Sequence, residues 1–505
     1  MTTTEILKTT QIRLATPASE AHEAPAARTE AEAPRDSARA QNLTLLVLLA
    51  GVFMTTLDIF IVNVAIPATQ RDLHASPAAI QWIVAGYGLT VAAGVITAGR
   101  LGDMFGRRRM YALGMALFTA ASAACGMAPT ADVLIASRVV QGIGAALLSP
   151  QTLAIIGTAF EGAKRVRAFT AYALAMGLAA VFGQLIGGVL IDLNFSGLGW
   201  RSCFLINVPV GAVALILVPR AVPESKAEGA ARTRLDVPGV AMVSAALVAT
   251  VLPLIQGQSQ GWPLWTWLSF AAALILFGAF GWYQGRLAAA QKSPLIDPAL
   301  FRSKGFTRSI IAQIVFWMGQ GSFFLIFALY LQIGRGLDAL HAGLVFTAIG
   351  VGYLLTSMVA QKLTARLGRG FRGQAQTAAV GTLLMAVSLV DLIVTLHLTG
   401  THGSLLWTIP ALVGDGAGMG LAIGPLAAGA MGRVAPQHTG AASGVVSTVM
   451  QVGGAVGVAV IGIVFYSALG SAPTPAAYTH AFTAGLELLV GVAVAVTVLL
   501  QFDKD

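Results

Sequence analysis

Gly99-Arg-Leu-Gly-Asp-Met-Phe-Gly-Arg-Arg-Arg109 sets four arginines around one aspartate between two long apolar runs. Guanidinium groups do not enter hydrocarbon, so the cluster pins a short loop to one membrane face and fixes the direction of the spans on either side. Gly99, Gly102 and Gly106 let the chain turn tightly where two helices leave the bilayer. Asp103 stands four residues before Arg107 and can pair with it, or with a helix N-terminus close by. On charge alone the stretch is an ordinary topology signal; its spacing asks for more.

The chain on either side has the composition this loop requires. It is 56% hydrophobic and 10% charged over 505 residues, whereas a soluble domain carries about a quarter charged residues. Fourteen apolar runs of spanning length follow one another, from 43–67 to 481–501, with the third at 110–128. They group as six (43–219), two (236–284) and six (307–501), separated by basic internal segments. The expected architecture is an all-α integral membrane protein with two six-helix bundles related by a pseudo-twofold axis and two extra helices between them. Residues 1–42 have almost no aromatic or β-branched content and read as a disordered cytoplasmic tail. Cys125 and Cys203 lie in apolar runs and read as packing residues, which excludes a disulfide framework, a zinc site or a haem site.

Orientation follows from the basic residues. With both termini inside, the inner segments hold 27 of the 31 Lys and Arg, and the outer loops hold only Arg71, Arg201 and Arg335. Arg138 alone falls within a span. This distribution explains the +9 net charge without nucleic acid. A faint internal repeat supports the six-two-six division: in Gln361-Lys-Leu-Thr-Ala-Arg-Leu-Gly-Arg369, Leu363, Gly368 and Arg369 match Leu101, Gly106 and Arg107, while Ala365 replaces Asp103. Repeated halves of this kind build secondary transporters whose sites lie near the midplane.

A charged side chain at mid-membrane costs roughly 2.5–3.5 kcal/mol on insertion scales, so each one needs a reason. Asp58, in Leu57-Asp-Ile-Phe-Ile-Val-Asn-Val-Ala-Ile-Pro67, lies roughly 22 Å from the inner start of the first run. Arg138, in Leu134-Ile-Ala-Ser-Arg-Val-Val-Gln-Gly-Ile-Gly-Ala-Ala146, lies roughly 9 Å from the outer start of the fourth, so the two can meet. Burial favours the neutral acid and a guanidinium favours the carboxylate, which suits the pair to exchange a proton as water access changes; a static ion pair is the alternative. In the fifth run, Gly177-Leu-Ala-Ala-Val-Phe-Gly-Gln184-Leu-Ile-Gly-Gly188, Gly183 and Gly187 make a small-residue face that permits close helix packing.

The spacing Gly-x-Leu-x-Asp-x-x-Gly-Arg-Arg at 99–108 resembles the loop between helices 2 and 3 of the major facilitator superfamily. Asp58, Asp103, Arg138, the glycines of the fifth run and Gly199-Trp-Arg-Ser-Cys-Phe-Leu-Ile-Asn-Val-Pro-Val-Gly211, met in that order, resemble its fourteen-helix drug/proton antiporter branch. Gly440-Ala-Ala-Ser-Gly-Val-Val carries the likeness into the second half. Gln184 departs from the family's Gly-Pro-x-x-Gly-Gly motif and removes its kink-forming proline. The resemblance implies alternating access around a central cavity, proton coupling at Asp58 under the influence of Arg138, and a conformational latch at Asp103, whose motif includes Gly99, Gly106, Arg107 and Arg108.

The second half is less conventional. Asp415 interrupts the glycine-rich Gly414-Asp-Gly-Ala-Gly-Met-Gly420 and could attract a cation or serve as a second proton site; a solvated residue near the outer vestibule is the bland alternative. Gln313, Trp317 and Gln320 with nearby phenylalanines combine aromatic area with uncharged polar groups, as a permissive pocket would, or else form a lipid-facing stripe. No histidine falls in an expected span.

These features point to a proton-coupled exporter of small amphipathic or cationic compounds in the inner (plasma) membrane, needing no cofactor beyond the proton gradient. Its expected partners are the substrate, protons and the bilayer, with no nucleic acid, and it is expected to act as a monomer. A dedicated exporter of one metabolite is the alternative. An enzyme acting on membrane lipid lacks a convergent set of His, Asp or Cys residues.

Overall fold

The computed structural model describes residues 33–225, 236–257, 260–290, 292, 294–296, 298–368, 370–400, 403–431, 433, 439–470 and 474–501. Helices dominate, with no strand among the described residues. In the first half α1 is Ala33–Asp72, α2 Pro77–Phe105, α3 Arg107–Gly126, α4 Ala131–Ala159, α5 Gly162–Leu193 and α6 Asn207–Ala221. A short turn of helix, Ser202–Leu205, leads into α6. The pair that follows is α7, Val237–Gln256, and α8, Leu264–Ala289. The second half holds α9, Lys304–Leu329, α10, Ala339–Leu367, α11, Gly370–Thr399, α12, Ile409–Met431, α13, Thr439–Leu469, and α14, Pro475–Gln501.

Among the described residues, thirteen helices are long and apolar enough to cross a membrane. The run expected at 110–128 forms α3, but Arg107, Arg108 and Arg109 occupy its first turn and lower its mean hydropathy, so it is not among the thirteen. At the other end of the chain α1 begins at Ala33, ten residues before the apolar run, so that part of the expected tail is helical; residues 1–32 lie outside the described residues. The helices also outrun the apolar cores elsewhere. His341 and His397, expected in loops, therefore sit in the end turns of α10 and α11, and His480, likewise expected in a loop, sits in the second turn of α14.

Local chemistry sets several helix ends. Ser76 accepts from the Ala79 N–H ahead of α2, Thr130 from Val133 ahead of α4, and Ser303 from Phe306 ahead of α9. Gly106 separates α2 from α3 with φ at +108° and an ideal Cβ only 2.6 Å from a Glu224 carboxylate oxygen, so only glycine fits this corner. Gly368 ends α10 at the equivalent place in the second half, and Arg369 lies outside the described residues.

Side-by-side packing is mostly within each half. The first helices join as α1 with α5 and α6, α2 with α4, and α3 with α4 and α6; the last join as α9 with α13 and α14, α10 with α12, and α11 with α12 and α14. Two seams cross between halves, α5 on α10 and α2 on α13. The α7–α8 pair leans on the second seam, where Leu247, Val251 and Ile255 of α7 bury against Ala85 and Leu89 of α2 and Ala455 and Ala459 of α13.

Candidate functional site

Asp58 and Arg138 meet, as their depths predict. Arg138 Nη1 donates to Asp58 Oδ2 in a direct ion pair, and both side chains are sealed from the surface at 0% and 1% exposure. Two charges taken out of water are tolerable only when their remaining hydrogen-bonding capacity is filled. Here it is. Gln141 Nε2 donates to Asp58 Oδ1 at 2.7 Å, Asn207 Nδ2 reaches the same oxygen at 3.3 Å, and Gln141 Oε1 accepts from Arg138 Nη1 at 2.7 Å. Arg138 Nε donates to the Ile83 carbonyl at 3.0 Å, and its guanidinium carbon lies 4.3 Å from the centre of the Tyr87 ring. Ser122 accepts from both Gln141 and Asn207. Six helices thus close on one carboxylate: α1, α2, α3, α4 and α6 supply polar groups, and α5 packs behind.

Gln141, Asn207 and Ser122 are absent from the sequence reading. Their signal was present but weak, since Gln141 lies one helical turn after Arg138 and Asn207 stands in the quoted Leu-Ile-Asn-Val-Pro stretch.

Behind the centre, the fifth-run glycines fit α5 between α1 and α10. An ideal Cβ on Gly183 would lie 3.0 Å from Phe60, and one on Gly187 would lie 2.7 Å from Ile61, both on α1. Gly188 meets the Ala339 carbonyl and Leu340 of α10, and Gly177 faces Tyr353. Gln184 is buried, its backbone carbonyl against Gly343 of α10. The packing reading of this motif accounts for every one of these contacts.

The signature loop forms a second centre at the opposite end of α2. Arg107 Nη2 donates to Asp103 Oδ1 at 2.9 Å. Glu224, three residues beyond α6, accepts from the Arg108 backbone N–H at 3.1 Å and lies 3.7 Å from the side chains of both Arg108 and Arg109. The Arg107 N–H donates to the Ser225 carbonyl. Gly99 packs beside Pro150 of α4, and Gly102 admits the Gln151 side chain, which bonds to the Ala98 carbonyl at 2.7 Å. Glu224 was not singled out in the sequence, because an acid beyond a span looks like any solvated charge. Lys226, Arg232 and Arg234, which follow it, lie outside the described residues.

The four cavity candidates of the second half separate. Gln320 and Asp415 line a narrow cleft between α9, α11, α12 and α14, together with Phe316, Phe323, Thr382 and Met385. Gln313 and Trp317 lie outside that lining; Trp317 Nε1 donates to Gln313 Oε1 at 3.1 Å, and the Trp317 side chain packs on Gly453 of α13.

Comparisons with known proteins agree with this architecture. The sequence model of the Major Facilitator Superfamily matches residues 48–458. A probable actinorhodin transporter of Streptomyces coelicolor is 38% identical over 451 residues, covering 88% of this chain and 75% of that protein. A puromycin resistance protein of Streptomyces alboniger is 34% identical over 468 residues, covering 90% of each. Among solved structures, a POT family transporter in complex with a thioalcohol conjugated peptide has a similar fold, with a TM-score of 0.66 over 92% of this chain and 97% of that one at 16% identity.

Proposed function

The chain belongs to the Major Facilitator Superfamily, and from that premise we propose that it is a proton-coupled exporter of small amphipathic or cationic compounds, working by alternating access. The family is one of transporters, so the chain is a multi-pass membrane transporter and not an enzyme. Relatives named for antibiotic transport and resistance support drug efflux as its task. We read α3 as a fourteenth span, since it packs on α4 and α6 like its neighbours, and the two sets of six helices as bundles that rock against each other. Both termini are then cytoplasmic, the membrane is the plasma membrane, and the working unit is a monomer with no cofactor beyond the gradient.

The observation that carries the proposal is the sealed Asp58–Arg138 centre and its position on α1. One side of α1 delivers Asp58 to Arg138, Gln141 and Asn207. The other side carries Phe60 against Gly183 of α5, and the Phe60 ring meets Phe324 of α9 edge-on at 5.3 Å. A proton arriving on Asp58 removes the charge on which three donors converge and loosens the grip on α1, whose far side touches the second half. Magnitudes suit a switch: a hydrogen bond to a charged group is worth about 1.5–3 kcal/mol. A proton crossing about 100 mV yields roughly 2.3 kcal/mol, with about 1.4 more per pH unit. One proton can therefore tip the equilibrium between states without dissolving the centre. The Asp103–Arg107–Glu224 cluster would bias the same equilibrium from the inner surface.

Drug or dye efflux with and without a protonophore, in cells that keep their ATP, tests the reading. Export should stop with the gradient; export that continues contradicts it. The actinorhodin transporter's name supports a narrower version, a dedicated exporter of one compound, which a substrate panel confined to one chemical class would favour.

A further inference from the structure

The Asp58 centre leaves a second buried acid unused. Asp415 on α12 is 4% exposed, and no hydrogen bond or ion pair reaches its carboxyl among the described residues. The glycines around it explain why α12 can hold an acid at all. Gly416 meets the Ile349 carbonyl of α10, and Gly418 meets the Gly381 carbonyl of α11, so backbones close tightly on two sides and leave Asp415 to the third. That side is the cleft walled by Phe316, Gln320 and Phe323 of α9, Thr382 and Met385 of α11, and Leu489 of α14. Among the described residues, Asp415 is the one ionisable residue of its lining.

The size of the cleft selects its occupant. The cleft is open on one side and leaves about 20 Å³ between its walls, and a space of roughly 10–15 Å³ by the same measure admits a single water. In this conformation an organic cation does not fit between its walls. A carboxylate with no hydrogen-bond partner, in a cleft whose polar neighbours are only Gln320 and Thr382 among the described residues, is costly, and protonation by a water entering the cleft removes that cost. We propose that Asp415 is a second proton-carrying site, lodged in the second half and exchanging independently of Asp58. The inference rests on the proton-coupled reading and deepens it from one carrier to two. The step balances simply: the carboxyl O–H bond breaks, its proton passes to the cleft water and on to the aqueous phase, and the reverse reloads it. The gradient is the only driving force needed.

Infrared difference spectroscopy on the purified full chain, with wild type, Asp415→Asn, Asp415→Glu and Asp58→Asn, tests this. Wild type should show a protonated-carboxyl stretch that titrates and shifts in D2O; Asp415→Asn should lose it, Asp415→Glu should restore it at a displaced frequency, and Asp58→Asn should keep it. Asparagine copies the shape of the neutral acid, so a melting temperature near wild type separates this loss from misfolding. A dye assay should show substrate-induced proton release falling about two-fold in Asp415→Asn. A stretch that never titrates, or identical spectra and proton release in wild type and Asp415→Asn, overturns the proposal. Unchanged release beside protonophore-sensitive export sinks the second carrier alone. Export indifferent to the protonophore sinks the exporter reading, and the infrared titration still decides whether Asp415 exchanges a proton.

Discussion

The first half buries Asp58 in a net of polar groups drawn from α2, α3, α4 and α6, whereas the second half buries Asp415 in a cleft lined mainly by phenylalanines and aliphatic side chains, beside Gln320 and Thr382, with no hydrogen bond to it among the described residues. Both are acids at membrane depth, and the difference lies in what a proton would change. On Asp58 it disturbs contacts that hold helices together, so charge and conformation are linked. On Asp415 it breaks no contact, so the site stores a proton without steering the fold. On the proposed reading, the same residue type would serve as a coupling element or a reservoir according to its neighbours.

The largest effect should come from removing the strongest of those neighbours. Arg138→Leu leaves Asp58 buried without its counter-ion, and breaking such a pair costs about 3–5 kcal/mol. Export should vanish and thermal melting in detergent should fall well below wild type. A variant as stable as wild type would mean that the two acids sit in equivalent surroundings after all.

Next in size are Gln141→Leu and Asn207→Leu. Each strips one donor while the ion pair survives, a loss of about 1–3 kcal/mol. Transport should drop markedly with the substrate range intact, and Gln141→Leu should be the more severe because Gln141 touches both members of the pair. Equal, negligible effects on efflux would reduce the network to packing.

Smaller still are changes at the inner loop. Asp103→Asn and Glu224→Gln act at partly exposed groups, where an ion pair is worth about 0–1 kcal/mol. Folding and substrate affinity should persist while turnover falls, which binding and vesicle transport measured side by side will show. Normal turnover in both returns the loop to a topology signal.

The smallest effect belongs to a surface acid that serves as a control. Asp338 caps α10, and the His341 backbone N–H, with the His341 ring beside it, holds its carboxyl below the ordinary carboxylate range. A lowered value means stabilisation that is present above that range and lost as pH falls through the depressed one. Acid melting of Asp338→Asn should therefore differ slightly from wild type at neutral pH and converge with it in strong acid; divergence that grows in acid would contradict the cap.

Much of this was legible because charge inside an apolar chain is conspicuous. The arginine cluster at 100–109 marked a loop, and Asp58 and Arg138 could be paired from depth alone, since helices convert residue number into height. Gln141, Asn207 and Ser122 escaped because uncharged polar residues in apolar runs also occur as simple packing residues, and only the rotation of each helix shows what they face. Rotation likewise separated Gln320 from Trp317, which lie three residues apart on α9 yet face different neighbours. Glu224 escaped because its partners come from a loop more than a hundred positions earlier. The arginines that revealed the loop also made α3 too polar to be counted with the other thirteen helices.

The central claim is that the proton drives export through Asp58. Its most direct test is gradient-driven substrate uptake into inverted vesicles carrying Asp58→Asn, a side chain that keeps the shape of the neutral acid and can never release a proton. The account predicts uptake no higher than the protonophore background, with binding of an uncharged substrate retained. Uptake at the wild-type rate would contradict it.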